Sequence, residues 1–137
     1  MSKDLLARAL EKSRQIKISV IGRASGRTIT LPVWFVHAND VLWLLPVHGS
    51  QTHWYRNIRK NPTIRIKVGS KEGTFKAQTV RSAASVRKVV QLFSDKFTAE
   101  MIRRLYPGPL DVAVKVRLTG RNLAGIRLPS RQRNSKS

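Results

Sequence analysis

The chain has 137 residues, of which 41% are hydrophobic, which is enough for one domain with a packed core and too little for two. It contains no cysteine, which excludes a disulfide framework and a thiolate metal site. With 27 lysines and arginines against 7 acids, the net charge of +20 indicates an anionic partner or anionic surroundings. No apolar run reaches the ~18 residues of a membrane-spanning helix, and the N-terminus has no signal-peptide pattern, so we expect a cytoplasmic protein.

Hydrophobic periodicity predicts one helix and three strands in the first part of the chain. Leu6 and Leu10 share one face of the helix. Pro32 lies inside the second strand and indicates an edge or an irregular segment, because proline cannot donate to a strand ladder. An Ala-Asn-Asp turn joins the second and third strands into a predicted hairpin. The helix covers residues 3–14, and the strands cover residues 15–22, 28–37 and 41–47.

The remaining chain predicts three helices and three further strands. Ser50 or Thr52 can cap the first of these helices, which the Asn61-Pro62 pair terminates. The next helix carries valines and phenylalanines at helical spacing, and the last strand carries Val112, Val114, Val116 and Leu118 on one face. The helices cover residues 52–60, 82–97 and 98–105, and the strands cover residues 63–69, 74–80 and 110–120.

These elements predict a mainly β fold. The strands are antiparallel neighbours joined by turns, without the regular helix alternation of a doubly wound sheet. We therefore expect a six-stranded antiparallel split β-barrel with three to four short peripheral helices, since closure also removes exposed edges. The N-terminal helix occupies residues 1–14, the barrel domain residues 15–120, and a basic C-terminal arm residues 121–137.

Two stretches of the sequence carry candidate binding chemistry. In GRASGR, Arg23 and Arg27 flank a Ser-Gly turn whose amides suit a phosphate-sized anion, although a solvated hairpin turn explains the same residues. In HGSQTHWYRN, Gly49 permits a close backbone approach, and hydroxyls and helix amides supply donors at a positive helix end. Packing of Trp54 on the barrel is the alternative interpretation there.

Side chains for acid–base or metal chemistry are scarce. His37, His48 and His53 lack metal-ligand spacing, and no Ser-His-Asp set is present, so we predict no metal site. The seven acids are not paired at useful spacing, and Asp111 is interpreted as a structural acid. Redox chemistry would therefore have to come from a cofactor.

Three segments resemble the deazaflavin-dependent nitroreductase family: GRASGRTITLPVWFV, VLWLLPVHGSQTHWYRNIRKNP and RLYPGPLDVAVKVRL. This family belongs to the flavin-binding split β-barrel superfamily, which includes pyridoxamine-phosphate oxidase. The resemblance covers about residues 15–120. It implies a barrel that binds the deazaflavin coenzyme F420, with FMN as the alternative cofactor. It also implies an oxidoreductase that passes hydride from the reduced coenzyme to a quinone or nitro compound.

The resemblance implies positions for the site as well. In the phosphate-contacting turn and the strand after it, Ala24 and Ile29 stand where the family usually has Lys and Arg. His48 and Tyr106 are the two candidate proton donors. The positions implied for cofactor binding are Arg23, Ser25, Gly26, Arg27, Leu31, Pro32, Val33, Trp34, Val47, Gly49, Ser50, Thr52, Trp54 and Tyr55.

The charge supports a different function. A non-enzymatic protein could use its basic surface and residues 121–137 to bind nucleic acid or another polyanion, although no RNA-recognition or helix-turn-helix signature is present. A third interpretation places the N-terminal helix and the arm on an anionic membrane surface. The oxidoreductase hypothesis needs an anionic cofactor and a small-molecule acceptor, and related split barrels suggest a homodimer.

Overall fold

The computed structural model describes residues 3–118, which form a six-stranded barrel with peripheral helices. The strands are β1 (Gln15–Ile21), β2 (Thr28–Ala38), β3 (Val41–Leu44), β4 (Thr63–Val68), β5 (Lys71–Val80) and β6 (Ala113–Arg117). The helices are α1 (Lys3–Glu11), α2 (His53–Lys60), α3 (Ala83–Phe97) and α4 (Ala99–Leu105), with a 3₁₀ turn at Gly49–Gln51 before α2. The predicted arm and the predicted end of the last strand lie outside the described residues.

All strand pairs are antiparallel, and they close in the order β1-β2-β3-β6-β5-β4, with β4 returning to β1. This confirms the predicted fold class and the hairpin between the second and third strands. That hairpin turns at Asn39 and Asp40, whose φ angles of 53° and 64° are those of a type I′ turn. None of the helices among residues 3–118 is long and apolar enough to cross a membrane.

β2 changes partner partway along its length, and this creates the split in the barrel. Its residues 28–34 pair with β1, and its residues 35–38 pair with β3. The edge of residues 28–34 that faces away from β1 therefore has no strand partner within residues 3–118. Pro32 lies in this one-sided segment, as its missing N–H predicts.

Two apolar cores hold the fold together. The larger core fills the barrel, and α1 closes one end of it with Leu6 and Leu10, each 1% exposed. The smaller core lies outside the barrel wall, where α3 and α4 pack on it through Val89, Phe93, Phe97 and Ile102, joined by Tyr106 just after α4. The predicted apolar face of the last strand points into the larger core.

The structure corrects several boundaries. β3 ends at Leu44, before Pro46, which has no N–H to continue the ladder. β5 begins at Lys71, because the turn before it comprises only Gly69 and Ser70. Thr52 occupies the N-cap position of α2, but its Oγ1 accepts a hydrogen bond from the backbone N of His48 at 2.8 Å. The predicted side-chain cap is therefore wrong.

Candidate functional site

A cavity of about 500 Å³ lies along the free edge of β2, between that strand, α2 and the end of α4. A volume of this size suits a cofactor or small-molecule site. Its lining is mostly apolar, as is usual for sites that bind small molecules. The lining residues are Gln15, Ile29, Leu31, Pro32, Val33, Trp34, Leu45, Val47, His48, Thr52, His53, Trp54, Asn57, Leu105 and Tyr106.

The cavity brings together nine of the residues named from sequence. They come from β2, from the segment after β3, from the start of α2 and from the end of α4: Leu31, Pro32, Val33, Trp34, Val47, His48, Thr52, Trp54 and Tyr106. The predicted Arg23, Ser25, Gly26, Arg27, Gly49, Ser50 and Tyr55 do not line it. Sequence reasoning missed His53 and Asn57, although their spacing of four residues on a short helix places them on one face.

The turn between β1 and β2 uses most of its own amides. Gly22 N donates to Arg27 O at 2.8 Å, Gly26 N to Gly22 O at 2.9 Å, and Arg27 N to Ser25 Oγ at 3.1 Å. Together with the amide of Arg23, four of the six amides in residues 22–27 are occupied. The predicted anion nest is therefore limited to the two remaining amides, those of Ala24 and Ser25, and it stays a prediction.

Arg23 fastens this turn to α2. Asn57 Oδ1 accepts from Arg23 N at 3.1 Å and from Arg23 Nη1 at 2.7 Å, and the guanidinium also reaches His53 O at 3.3 Å. Arg23 Nη2 lies 3.2 Å from His53 Nδ1. A guanidinium can only donate, so Nδ1 is the acceptor and a neutral His53 carries its proton on Nε2. The side chain of Arg27 is exposed at the other end of the turn.

Gly49 and Ser50 contact the loop before β6. Gly49 has a φ of +58°, and a Cβ there would collide with Asp111 Oδ1 and Pro109 O. Asp111 accepts from Ser50 N at 3.0 Å and from Ser50 Oγ at 2.8 Å. The close approach predicted for Gly49 therefore occurs within the chain, and Asp111 is a structural acid. Direct coenzyme contacts of Gly49 and Ser50 stay predictions.

Trp54 and Tyr55 hold α2 against the barrel. Both are buried, at 5% and 1% exposure, and both belong to the larger core. Trp54 also lines the cavity, whereas the Tyr55 hydroxyl is buried without a hydrogen-bond partner among the described residues. The packing supports the bracing role, and a direct coenzyme contact of Tyr55 stays a prediction.

His48 and Tyr106 lie on the same cavity from opposite elements. His48 is exposed and follows β3, whereas Tyr106 is buried and packs edge-on against Phe93, with ring centres 6.2 Å apart. Burial raises the pKa of the Tyr106 phenol well above its ordinary value. Tyr106 is therefore a neutral hydrogen-bond donor at any physiological pH and a weak acid.

Solved structures show the same fold at low sequence identity. An F420-H2 dependent reductase aligns with a TM-score of 0.59 at 19% identity, covering 75% of this chain and 93% of its own. A putative pyridoxamine 5′-phosphate oxidase from Listeria innocua gives 0.62 at 13% identity, with coverages of 83% and 90%. A heme storage protein from Vibrio cholerae gives 0.64 at 15% identity, with coverages of 83% and 87%. At these identities the likeness establishes the fold alone.

A comparison by sequence with curated proteins finds no match. A family model does match: the one for F420H(2)-dependent quinone reductases covers residues 3–103, which is most of the chain. The match includes every residue that lines the cavity except Leu105 and Tyr106. This agrees with the resemblance noted from the three sequence segments and with the split-barrel topology. The chain belongs to the F420H(2)-dependent quinone reductase family, and it is a deazaflavin-dependent oxidoreductase whose coenzyme is F420.

Proposed function

We propose that the cavity beside β2 holds the deazaflavin ring of coenzyme F420 and that a quinone is the acceptor. The observation that supports this best is the free edge of residues 28–34, which runs along the cavity. In an antiparallel strand, alternate residues direct their backbone groups to opposite edges. Backbone donors and acceptors that β1 does not use are therefore available to the polar edge of a planar heterocycle.

The side chains around the cavity suit a ring system and a second planar molecule. Val33, Trp34 and Trp54 supply apolar walls, and Thr52 is buried with its Oγ1 bound to a backbone amide. When bound, the reduced coenzyme supplies the hydride. The chain orients the two molecules and excludes water. The neutral phenol of Tyr106 donates a hydrogen bond to the acceptor oxygen, and His48 supplies a proton from the solvent side.

Cations near the cavity suit the phosphate and the oligoglutamate tail of the coenzyme. Arg27 ends the turn beside β2, and α2 carries exposed Arg56, Arg59 and Lys60. The Lys60 ammonium reaches the backbone O of Arg23 at 3.4 Å, so the basic face of α2 adjoins the turn. Arg27, whose side chain has no hydrogen-bond partner among the described residues, is the primary phosphate ligand in this proposal.

Further partners are proposed from related structures and from the charge of the chain. A second copy of the chain would be consistent with related barrels, and the cytoplasm is the location that we propose. Binding to nucleic acid or to an anionic membrane surface is supported only by the net charge of +20. A polyanion held by charge alone would lose affinity steeply as salt rises.

The test is a titration of the apo-protein with F420 and with FMN at low and at high salt, followed by oxidation of the reduced coenzyme with menadione. We expect saturable F420 binding that persists in high salt, weaker FMN binding, and quinone-dependent oxidation. Arg27→Ala should weaken F420 binding about tenfold, the scale of one charge-assisted hydrogen bond. Arg87→Ala, which removes an equal charge from α3, is the matched control. Loss of binding in high salt, with duplex DNA competing equally well, would favour the polyanion function.

A further inference from the structure

A second cavity lies beside the first one. It has a volume of about 380 Å³ and opens on the outer face of the sheet where β1, β2 and β4 adjoin. Gln15 and Pro32 line both cavities, so the two share a wall. The lining residues of the second cavity are Ser13, Gln15, Ile16, Lys17, Pro32, Lys67, Val68 and Gly69.

Two lysines face each other in this second cavity. Lys17 of β1 and Lys67 of β4 are direct partners in the strand register. Like charges opposite each other on neighbouring strands destabilise a sheet. Neither lysine forms an ion pair within residues 3–118, although Glu72 stands opposite Lys67 on β5. An anion between the two ammonium groups would relieve their repulsion.

The remaining polar groups of this cavity also suit an anion. Gln15 is exposed at the boundary between the cavities and offers a side-chain amide donor to either one. The Ser13 hydroxyl is occupied, because it donates to Ala9 O at 3.0 Å. No carboxylate is among the lining residues, so the two lysines supply the only charged groups of the lining.

We propose that Lys17 and Lys67 form an anion subsite that selects quinones carrying a sulfonate or carboxylate substituent. This inference rests on the proposed function, since it places the quinone ring in the first cavity and its substituent past Gln15 in the second. The reaction itself is unchanged. The quinone takes a hydride from the coenzyme and a proton from the medium and becomes a hydroquinone, while the anionic substituent stays intact.

The kinetic test compares 1,4-naphthoquinone-2-sulfonate with menadione, its neutral counterpart, at constant ionic strength. Lys17→Gln and Lys67→Gln should each raise the KM for the sulfonate about two- to fivefold, the scale of an exposed charge pair, and leave the KM for menadione unchanged. Lys76→Gln is the control, because Lys76 is an exposed lysine of β5 that lines neither cavity. An equal rise in the control, or no preference of the native protein for the sulfonate, overturns the subsite.

A binding test separates this inference from the proposed function. Redox-inert naphthalene-2-sulfonate is titrated into the native protein without coenzyme, and the amide chemical shifts of Lys17, Lys67 and Gly69 are followed. We expect saturable shifts at these three amides that both glutamine variants weaken. If F420 fails to bind but these shifts occur, the proposed function falls and the anion subsite stands. If F420 binds and the shifts are absent, the subsite falls alone.

Discussion

The side-chain oxygen of Asn57 accepts two hydrogen bonds from Arg23, one from its backbone N at 3.1 Å and one from its guanidinium at 2.7 Å. Asn57 is 3% exposed and lines the cavity, so a buried amide of α2 determines where the β1–β2 turn stands. The turn and the helix that flank the proposed coenzyme site are therefore positioned by one another.

Replacing Asn57 with Leu should both destabilise the protein and weaken coenzyme binding. It leaves the amide of Arg23 without its acceptor, at a cost of ~1–3 kcal/mol in the free energy of unfolding. Denaturant unfolding measures the first effect, and an F420 titration measures the second. Asn61→Ala is the control, since Asn61 Oδ1 accepts from Thr63 N at 3.2 Å beyond the end of the same helix. Unchanged F420 affinity in Asn57→Leu would contradict the positioning role.

The two arginines of the turn should behave differently. Arg23→Ala removes the contacts to Asn57 and His53, so we expect a lower melting temperature as well as weaker F420 binding. Arg27→Ala removes an exposed side chain, so the melting temperature should stay unchanged while F420 binding falls. Thermal unfolding and F420 titration of both variants decide this. A melting temperature that falls equally in both would show that Arg27 is structural.

Variants of Ser50 and Asp111 distinguish a direct contact between Ser50 and the coenzyme from a purely structural role of Ser50. Asp111→Asn weakens the link between the 3₁₀ turn and the loop before β6 but leaves the Ser50 hydroxyl in place. If Ser50 binds the coenzyme directly, F420 affinity should fall in Ser50→Ala and be nearly unchanged in Asp111→Asn. Equal losses in the two variants would mean that Ser50 acts only by holding the loop.

Ile29 is an exposed apolar residue at the edge of the cavity, with 42% exposure. Arg is usual at this position in the resembling family, so Ile29→Arg should restore a cation beside the coenzyme phosphate. We expect F420 affinity to rise about two- to fivefold at low salt, the scale of an exposed charge pair. Ala84→Arg, on the exposed face of α3, controls for net charge. No difference between the two variants would place the phosphate elsewhere.

The pH dependence of activity should show no ionisation of Tyr106 below pH 10. Burial raises the pKa of this phenol, so the folded protein keeps it neutral where a free tyrosine would ionise. Above pH 10 the unfolded chain loses the proton first, and stability should therefore fall as pH rises. Tyr106→Phe should remove that part of the fall and lower kcat about tenfold, as for one lost hydrogen bond. An unchanged kcat would remove Tyr106 from the reaction.

Lys96 should change the pH dependence of stability in the direction opposite to that of Tyr106. Its ammonium lies 3.9 Å from the centre of the Phe35 ring and donates to Phe35 O at 2.9 Å. Partial desolvation, with a smaller effect of Arg14, lowers the pKa of Lys96. The unfolded chain thus holds this proton more tightly, so stability should rise with pH between the lowered pKa of the folded protein and the ordinary value of 10.5. Lys96→Met should show a smaller rise in denaturant unfolding, and an equal rise would contradict this assignment.

The barrel could be predicted because local patterns agree with it. Alternating strands such as residues 63–68, together with the Asn39-Asp40 turn, specify both the faces and the hairpin. The boundaries were less accurate where a proline or a tight turn ended the pattern, as at Pro46 and Gly69. The apolar wall of the cavity was also predictable, since β2 carries the apolar segment Leu31–Phe35 within a β-rich run.

The polar part of the site could not be predicted in the same way. Nothing local shows that Arg23 turns toward Asn57, 34 positions away, or that Ser50 bonds to Asp111, 61 positions away. Those partners meet only when the barrel closes and α2 packs on it. Donors that appear free in the sequence are then occupied by the chain itself, so only two amides of the β1–β2 turn remain for the predicted anion nest.

The one-sided pairing of β2 has a consequence for the life of the protein in the cell. An unpaired strand edge is a template on which another chain can add a strand, and such edges promote aggregation. A coenzyme seated on residues 28–34 would cover that edge. The cellular level of folded protein would then depend on the concentration of coenzyme, because molecules without coenzyme would aggregate or be degraded.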